Sequence, residues 1–83
     1  MVFFVYILYS ASLDQYYIGH TQNLEDRLFR HNNSGSKSTK KAKDWKIMYT
    51  ERFEFKSEAF KREMEIKKKK SRNYLEFLIS SVG

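Results

Sequence analysis

A continuous apolar run at residues 2–10, VFFVYILYS, is the feature that most constrains the fold. Aromatic and β-branched side chains fill nearly every position, which predicts a β-strand. A strand with one exposed face would alternate apolar and polar residues, and this run does not alternate. We therefore expect a central strand that is buried on both faces. Tyr6 lies in it, either as a packed phenol with one hydrogen bond or as a hydroxyl directed into a site.

A second, short strand is predicted at residues 16–21, which complete a hairpin with the first strand. Side chains alternate along a strand, so Tyr17 and Gly19 face one side and His20 faces the other. Gly19 has no side chain, and this permits the close approach of another backbone or of a ligand. A β-bulge is the alternative explanation for a glycine at this position.

The first helix is predicted to begin after Asn23, a favourable N-cap, and to run to about Asn32. Arg27 and His31 are four residues apart, so they share one face of this helix at the edge of its apolar stripe. Two interpretations remain for the pair. The residues belong to a site, or they are a surface arginine and a C-terminal histidine that the helix dipole favours.

The middle of the chain predicts a loop and then a third strand. Residues 33–44, NSGSKSTKKAKD, form a Ser/Lys-rich stretch that predicts a mobile, cationic loop. Trp45–Phe53 follows as the third strand, and simple alternation places Trp45, Ile47 and Tyr49 on one face.

A second helix is predicted with Ser57 as its N-cap. Its apolar positions are Ala59, Phe60, Met64 and Ile66. Glu63 falls on the same inward stripe. A carboxylate there needs a partner because burying an uncompensated charge is costly. That partner is either an arginine in a structural salt bridge or a divalent metal ion.

A last helical segment is predicted after Ser71, either as a separate helix or as a kinked or continuous extension of the second. Its packing face consists of Tyr74, Leu75, Leu78 and Ile79. The predicted order is β-β-α-β-α(-α), an α/β (α+β) fold in which helices flank a small three-stranded sheet. At 83 residues, we expect residues 1–83 to form a single domain.

Composition restricts the classes of function. The chain has no cysteine, which excludes disulfides and thiolate metal sites. No apolar run approaches the ~20 residues of a membrane span, and no secretory signal is visible, so an intracellular soluble protein is expected. The net charge of +6 is concentrated in two blocks, with +4 at residues 35–50 and +5 at residues 56–72. These blocks suit a phosphodiester backbone, although lysine-rich blocks are also common as solvated faces.

Specific motifs resemble the GIY-YIG nuclease family over nearly the whole chain, residues 2–80. Tyr17-Ile18-Gly19 matches the second motif, and Val5-Tyr6 matches the end of the first, with Phe4 where the family has glycine. Farther along, Arg27 matches the family's helix arginine, His31 a histidine one turn later, and Glu63 the metal-binding glutamate. The resemblance is to the small stand-alone members, and similar domains occur in the excision-repair incision subunit and in structure-selective endonucleases. It implies a GIY-YIG-like fold.

The resemblance also implies metal-dependent hydrolysis of DNA phosphodiester bonds. Glu63 would hold one Mg²⁺ or Mn²⁺ ion, and Arg27 would neutralise the scissile phosphate. Tyr6 is the candidate to deprotonate or orient the attacking water, with Tyr17, His20 and His31 tuning or relaying the proton. A weaker candidate is Asn73, because some relatives use an asparagine after the glutamate. The candidate nucleic-acid-binding residues are Lys37, Lys40, Lys41, Lys43, Lys67, Lys68, Lys69 and Lys70.

Two other functions compete with the nuclease. The first is a catalytically inactive module of the same fold that binds DNA or RNA through its lysine blocks. The second is a structural or interaction domain whose polar cluster is a hydrogen-bonded core network. If the chain is a nuclease, we expect structure-selective or weakly sequence-specific cleavage, in DNA repair or recombination. The sequence is compatible with either a monomer or a homodimer.

Overall fold

The computed structural model describes residues 1–33, 41–69 and 71–81. The strands are β1 (Phe3–Ser10), β2 (Gln15–Thr21) and β3 (Trp45–Phe53), and the helices are α1 (Leu24–Asn33), α2 (Lys56–Lys69) and α3 (Arg72–Ser80). The order β-β-α-β-α-α confirms the predicted α+β architecture, and the last two helices are separate. The described part of the chain contains no helix with the length and apolarity to cross a membrane.

The sheet has the order β2-β1-β3, and β1 pairs antiparallel with both neighbours. The continuous apolar run therefore forms the central strand, as predicted. Val5 and Ile7 face α2 and α3, where they pack with residues such as Ile66 and Leu78. Tyr6 and Leu8 point to the opposite face. Each face of β1 supports its own apolar cluster, which explains why the run does not alternate.

On the Tyr6 side of the sheet, the cluster is completed by α1 and by the beginning of β3. Its other members are Leu13, Tyr17, Leu24, Leu28, Ala42, Trp45 and Ile47. Helix α1 thus packs on one face of the sheet, and α2 with α3 on the other. The edge strand β2 lies between α1 and α2.

The predicted face of β3 is wrong because the strand contains an irregularity. Ile47 pairs with Leu8 and Tyr49 pairs with Ile7, so the register shifts by one residue between Ile7 and Leu8. An extra residue on one strand reverses which side chains share a face. Ile47 accordingly packs with the Tyr6 cluster, whereas Tyr49 packs with the Val5 cluster.

Two of the three predicted helix caps are confirmed. Asn23 Oδ1 accepts a hydrogen bond from Asp26 N at 3.0 Å, and Ser71 Oγ accepts one from Tyr74 N at 3.2 Å. The prediction for Ser57 is wrong, since α2 begins at Lys56. The carbonyl oxygen of Phe55 accepts the bond from Ala59 N at 3.2 Å, so Ser57 lies inside the first turn.

The buried stripe of α2 is narrower than predicted. Ala59, Glu63 and Ile66 are buried, but Phe60 and Met64 are 53% and 43% exposed. Adjacent helix residues are rotated by about 100°, so the two exposed side chains lie beside the stripe that faces the sheet. Glu63, by contrast, is inward as predicted, with 7% of its surface exposed.

A polar network fixes α2 against β3 and α3. Arg62 Nε and Nη2 donate to the two carboxylate oxygens of Glu51 at 2.8 and 3.0 Å, and Nη1 donates to Tyr74 Oη at 3.3 Å. Tyr49 Oη donates to the same carboxylate. Because Arg62 and Glu63 are adjacent on the helix, anchoring the first toward β3 and α3 turns the second toward β2.

Candidate active site

Tyr6 and Gly19 lie directly opposite each other in the β1–β2 ladder. A Cβ atom on Gly19 would be 2.6 Å from Tyr6 Oη and 2.8 Å from Cζ. The β1–β2 register is regular throughout, so the glycine serves close approach and not a bulge. The missing side chain lets the phenol lie across the edge strand.

The hydroxyl of Tyr6 is paired with His31 of α1. Tyr6 Oη and His31 Nε2 are 3.1 Å apart, and both residues are buried, with 2% and 4% of their surfaces exposed. Tyr17 completes the cluster, with its ring centroid 4.7 Å from that of His31 and 6.4 Å from that of Tyr6. Tyr6 is therefore both a core residue and a hydroxyl directed to a polar site, which unites its two sequence-based interpretations.

Burial determines the protonation of this pair. It raises the pKa of Tyr6 well above the ordinary range; Tyr17 and Glu63 add to the increase, and the Arg27 charge opposes it. Burial also lowers the pKa of His31, and the Arg27 charge lowers it further. The resting state is thus a neutral phenol beside a neutral imidazole. A neutral imidazole can accept the phenol's hydrogen bond at Nε2.

Arg27 extends from α1 into the same cleft. Its side chain is half-buried, and within the described residues its Nε is buried without a hydrogen-bond partner. An unpaired buried donor is costly, so such donors are uncommon in proteins. A guanidinium in this condition can bind an anionic oxygen that enters the cleft.

Glu63 enters the cleft from α2. Its Oε1 lies against His20 Nδ1, and its Oε2 accepts a hydrogen bond from Lys67 Nζ at 2.5 Å. Burial acts to raise the pKa of Glu63, but the hydrogen bonds from His20 and Lys67 outweigh it and hold the pKa below the usual range. The carboxylate is therefore ionised at neutral pH. Its partners are a histidine and a lysine, not the arginine of the predicted salt bridge.

These residues converge at the β2 edge of the sheet. A cavity of about 150 Å³ is lined by Tyr6, Tyr17, Gly19, His20, Arg27 and Glu63. Groups from both faces of the sheet meet here, because the cavity lies at the edge strand between α1 and α2. His31 is connected to the cavity through the hydroxyl of Tyr6.

Glu63 is the carboxylate that this cavity offers to a divalent metal ion. No group of three or more His, Asp or Glu residues that could hold an ion occurs in residues 1–33, 41–69 and 71–81. Mg²⁺ nevertheless needs few protein ligands because it retains several waters. Glu63 supplies a hard, ionised oxygen donor in an open cleft, and each of its oxygens has a second lone pair beyond its present bond.

The remaining predicted residues are distributed as follows. Asn73 is exposed in the first turn of α3 and does not line the cavity. Lys37, Lys40 and Lys70 lie outside the described residues, as does most of the predicted loop at residues 33–44. The described members of the candidate nucleic-acid-binding lysines are all exposed: Lys41, Lys43, Lys67, Lys68 and Lys69.

The groups that hold Glu63 were not among the predicted partners of this carboxylate. Lys67 is a predicted nucleic-acid-binding residue, yet it pairs with Glu63, and their i,i+4 spacing is a local signal for that contact. The contact between His20 and Glu63 joins residues 43 positions apart. No local pattern could have revealed it.

Comparisons with known proteins show which family the chain belongs to. Residues 2–75 match the family model described as the GIY-YIG catalytic domain. A UPF0213 protein of Clostridium perfringens is 46% identical over 79 residues, covering 94% of this chain and 83% of its own. One from Staphylococcus saprophyticus is 46% identical over 52 residues, covering 61% and 63%. The solution NMR structure of a UPF0213 protein from Bacillus halodurans superposes with a TM-score of 0.58 at 32% identity, covering 96% of this chain and 84% of that one. The chain therefore belongs to the GIY-YIG family and is a relative of the UPF0213 proteins.

Proposed function

We propose that residues 1–83 form a single nuclease domain that hydrolyses phosphodiester bonds in DNA with the help of one Mg²⁺ or Mn²⁺ ion. Membership of the GIY-YIG family points to nuclease activity in general. The observation that carries the proposal is the shared cavity, in which a phenol, a guanidinium and a carboxylate converge. Phosphoryl transfer needs a nucleophile, neutralisation of charge and stabilisation of the leaving oxygen.

Tyr6 and His31 supply the path for the proton of the attacking water. A neutral phenol is a poor base by itself, because its conjugate acid would be far too strong. Here the phenol passes its own proton to His31 Nε2, 3.1 Å away, while its oxygen accepts the proton of the water. The phenol is thus regenerated, and the imidazole becomes imidazolium.

Arg27 binds the scissile phosphate. Its side chain lines the cavity, its buried Nε has no hydrogen-bond partner within the described residues, and the planar guanidinium matches two phosphate oxygens at once. As negative charge grows on the phosphate oxygens in the transition state, this interaction becomes stronger. Tyr17 packs against His31 and limits the orientation of the proton acceptor.

Glu63 is the residue that would hold the divalent ion, and His20 orients its carboxylate. When bound, such an ion supplies charge neutralisation at the phosphate and at the leaving oxygen. In the complete reaction, the water oxygen forms a bond to phosphorus and the bond to the leaving oxygen breaks. The products are a phosphate monoester and a hydroxyl, and the leaving oxygen takes its proton from solvent.

The proposed substrate is nucleic acid, specifically DNA, in an intracellular setting such as repair or recombination. The exposed lysines among the candidate nucleic-acid-binding residues would contact the backbone without reading sequence. This arrangement supports structure-selective or weakly specific cleavage.

The test is cleavage of branched, flap, nicked and single-stranded DNA with Mg²⁺ or Mn²⁺. We expect cleavage by the wild type, and a loss of about 10²-fold or more in Arg27→Ala and in Glu63→Gln. Arg30→Ala and Glu65→Gln are matched controls, because they change exposed residues of the same two helices. Cleavage that survives both site substitutions would contradict the mechanism.

An inactive nucleic-acid-binding module is the second candidate, and one observation favours it. Both carboxylate oxygens of Glu63 already have cationic or histidine partners, so an ion must compete with Lys67. If the protein is such an inactive binding module, no DNA form is cleaved, and Glu63→Gln binds DNA as strongly as the wild type.

A further inference from the structure

A second cavity adjoins the proposed active site. It has a volume of about 280 Å³ and is lined by Phe3, His20, Thr21, Gln22, Arg27 and Lys56. It shares His20 and Arg27 with the catalytic cavity, so a ligand in one is a direct neighbour of a ligand in the other. The proposed mechanism makes no use of its remaining lining.

The chemistry of this second cavity suits a nucleotide. Lys56 and Arg27 provide positive charge, Gln22 provides an exposed side-chain amide, and the partly buried ring of Phe3 provides an apolar wall. Thr21 is not available to a ligand through its hydroxyl, which already bonds the backbone of Asn23 at 3.1 and 3.3 Å. Cations beside an apolar wall match a phosphate attached to a sugar and a base.

One row of side chains on helix α2 runs from the second cavity to the catalytic cavity. Lys56, Phe60, Glu63 and Lys67 are spaced by four, three and four residues, so they lie along one side of the helix. Lys56 lies in the second cavity, and Glu63 lies in the catalytic cavity. The axial distance between them is about 10 Å at 1.5 Å per residue.

Phe60 lies between those two positions. Its ring centroid is 6.0 Å from that of His20, in an edge-on arrangement, and His20 lines both cavities. More than half of Phe60 is exposed, so part of this aromatic side chain is accessible beside His20. A base can stack on such a ring only if it is not already stacked between duplex neighbours.

We infer that the second cavity binds the nucleotide next to the scissile phosphate, with Lys56 on its backbone phosphate and Phe60 stacked on an unpaired base. This inference rests on the proposed nuclease function and names its preferred substrate. The preferred DNA is one with an unpaired nucleotide adjacent to the cleavage position, such as a flap or a gap. Fully paired duplex leaves Phe60 without a partner.

The test measures binding in the Glu63→Gln background, where cleavage cannot interfere. The probe is a DNA duplex with a single-stranded flap that carries 2-aminopurine at successive positions around the junction. Phe60→Leu retains apolar volume but removes the ring. We expect it to weaken flap binding about fivefold or more, to remove 2-aminopurine quenching at one position, and to change binding of fully paired duplex less than about twofold.

Lys56→Gln tests the phosphate contact independently. We expect the slope of log Kd against log salt for flap DNA to decrease by about 0.7–0.9, the contribution of one phosphate. The matched controls are Phe77→Leu, which changes another exposed phenylalanine, and Lys61→Gln, which changes an exposed lysine of α2 outside the row that joins the two cavities. Thermal unfolding shows whether each variant remains folded.

The possible outcomes separate the inference from the proposed function. If the wild type cleaves DNA but Phe60→Leu and Lys56→Gln behave like their controls, the inference is wrong and the nuclease assignment remains. Equal losses on flap and fully paired duplex also contradict it, because stacking on an unpaired base cannot produce them. If the wild type neither binds nor cleaves any DNA form, the proposed function fails, and the inference fails with it.

Discussion

Tyr6 reaches the catalytic cavity only because Gly19 lacks a side chain. The phenol crosses the backbone of β2 at distances that a Cβ atom would violate, 2.6 Å for Oη and 2.8 Å for Cζ. Tyr6 is almost completely buried, so its ring has little room to move away. The glycine of the Tyr17-Ile18-Gly19 motif is thus a steric requirement of the tyrosine on the neighbouring strand.

Gly19→Ala should therefore destabilise the protein and displace the phenol. We expect a loss of about 1–3 kcal/mol in the free energy of unfolding, typical of an overpacked core, and a strong loss of nuclease activity. Urea unfolding and cleavage assays measure the two effects. In a Tyr6→Phe background the same substitution should cost less, since the closest contact is gone. An equal cost in both backgrounds would contradict this steric explanation.

His31 makes stability depend on pH near neutrality. Burial and the Arg27 charge lower the pKa of its imidazole below the ordinary 6.5, so below about pH 6.5 the unfolded chain takes up a proton that the native protein does not. The stability from this group is complete above pH 6.5 and is lost as the pH falls through the folded pKa. The carboxyl groups of Glu51 and Glu63, whose pKa values are lowered below 4.5, lose their contributions only at lower pH.

Substitution of His31 by glutamine should reduce this pH dependence. The free energy of unfolding of the wild type is expected to decrease between about pH 7 and pH 5, and His31→Gln should show a smaller decrease over the same range. Urea denaturation at each pH measures the free energy of unfolding of both proteins. Identical slopes for the two proteins would show that the imidazole is not buried in its neutral form.

Helices and strands are predictable from the sequence where the signal that defines them is local. Caps such as Asn23 and Ser71, and the apolar run of β1, are local, and the structure confirms them. The irregularity opposite Ile7 and Leu8 is set by pairing between strands, so alternation within β3 could not reveal that Tyr49 changes face. The width of the α2 stripe likewise depends on what packs against the helix.

The candidate site follows the same rule. Its residues could be identified from motifs and from the inward position of Glu63, and the structure gathers most of them around one cavity. Their hydrogen-bond partners could not be identified, because His20 and Glu63 meet only when β2 and α2 are both in place. The hydrogen bonds of Arg62 to Glu51 and Tyr74 orient α2 so that Glu63 points toward β2, and the sequence pattern did not predict these bonds.

Removing Arg62 should loosen α2. Arg62→Met leaves the partly buried Glu51 carboxylate without its cation, and hydrogen bonds to charged groups contribute about 1.5–3 kcal/mol. We expect a loss of about 2 kcal/mol in the free energy of unfolding, measured with urea. Arg30→Met is the control, because the Arg30–Asp26 pair is exposed and should contribute less than about 1 kcal/mol. Equal losses would contradict a structural role for the network.

For the whole molecule, charge and catalytic groups are arranged separately. The catalytic cavity contains an arginine, a carboxylate, a histidine and two tyrosine rings, whereas most of the +6 net charge comes from the two lysine-rich blocks. Exposed lysines contribute to binding through the release of counterions from the DNA. Binding strength and catalysis should therefore respond to different substitutions.

This separation can be tested with two double variants of equal net charge. Lys43→Gln/Lys68→Gln changes two of the candidate nucleic-acid-binding lysines, one in each basic block. Lys46→Gln/Lys61→Gln changes one exposed lysine in each of the same blocks that is not among those candidates. Each pair lowers the net charge from +6 to +4 by removing two lysines. If Lys43 and Lys68 contact phosphates, only the first pair should reduce the slope of log Kd against log salt, by about 1.4–1.8 for two contacts. Cleavage at saturating DNA concentration should remain near the wild-type rate in both. If both pairs reduce the slope equally, net charge and not the position of the lysines governs binding, and the assignment of Lys43 and Lys68 to the DNA backbone is wrong.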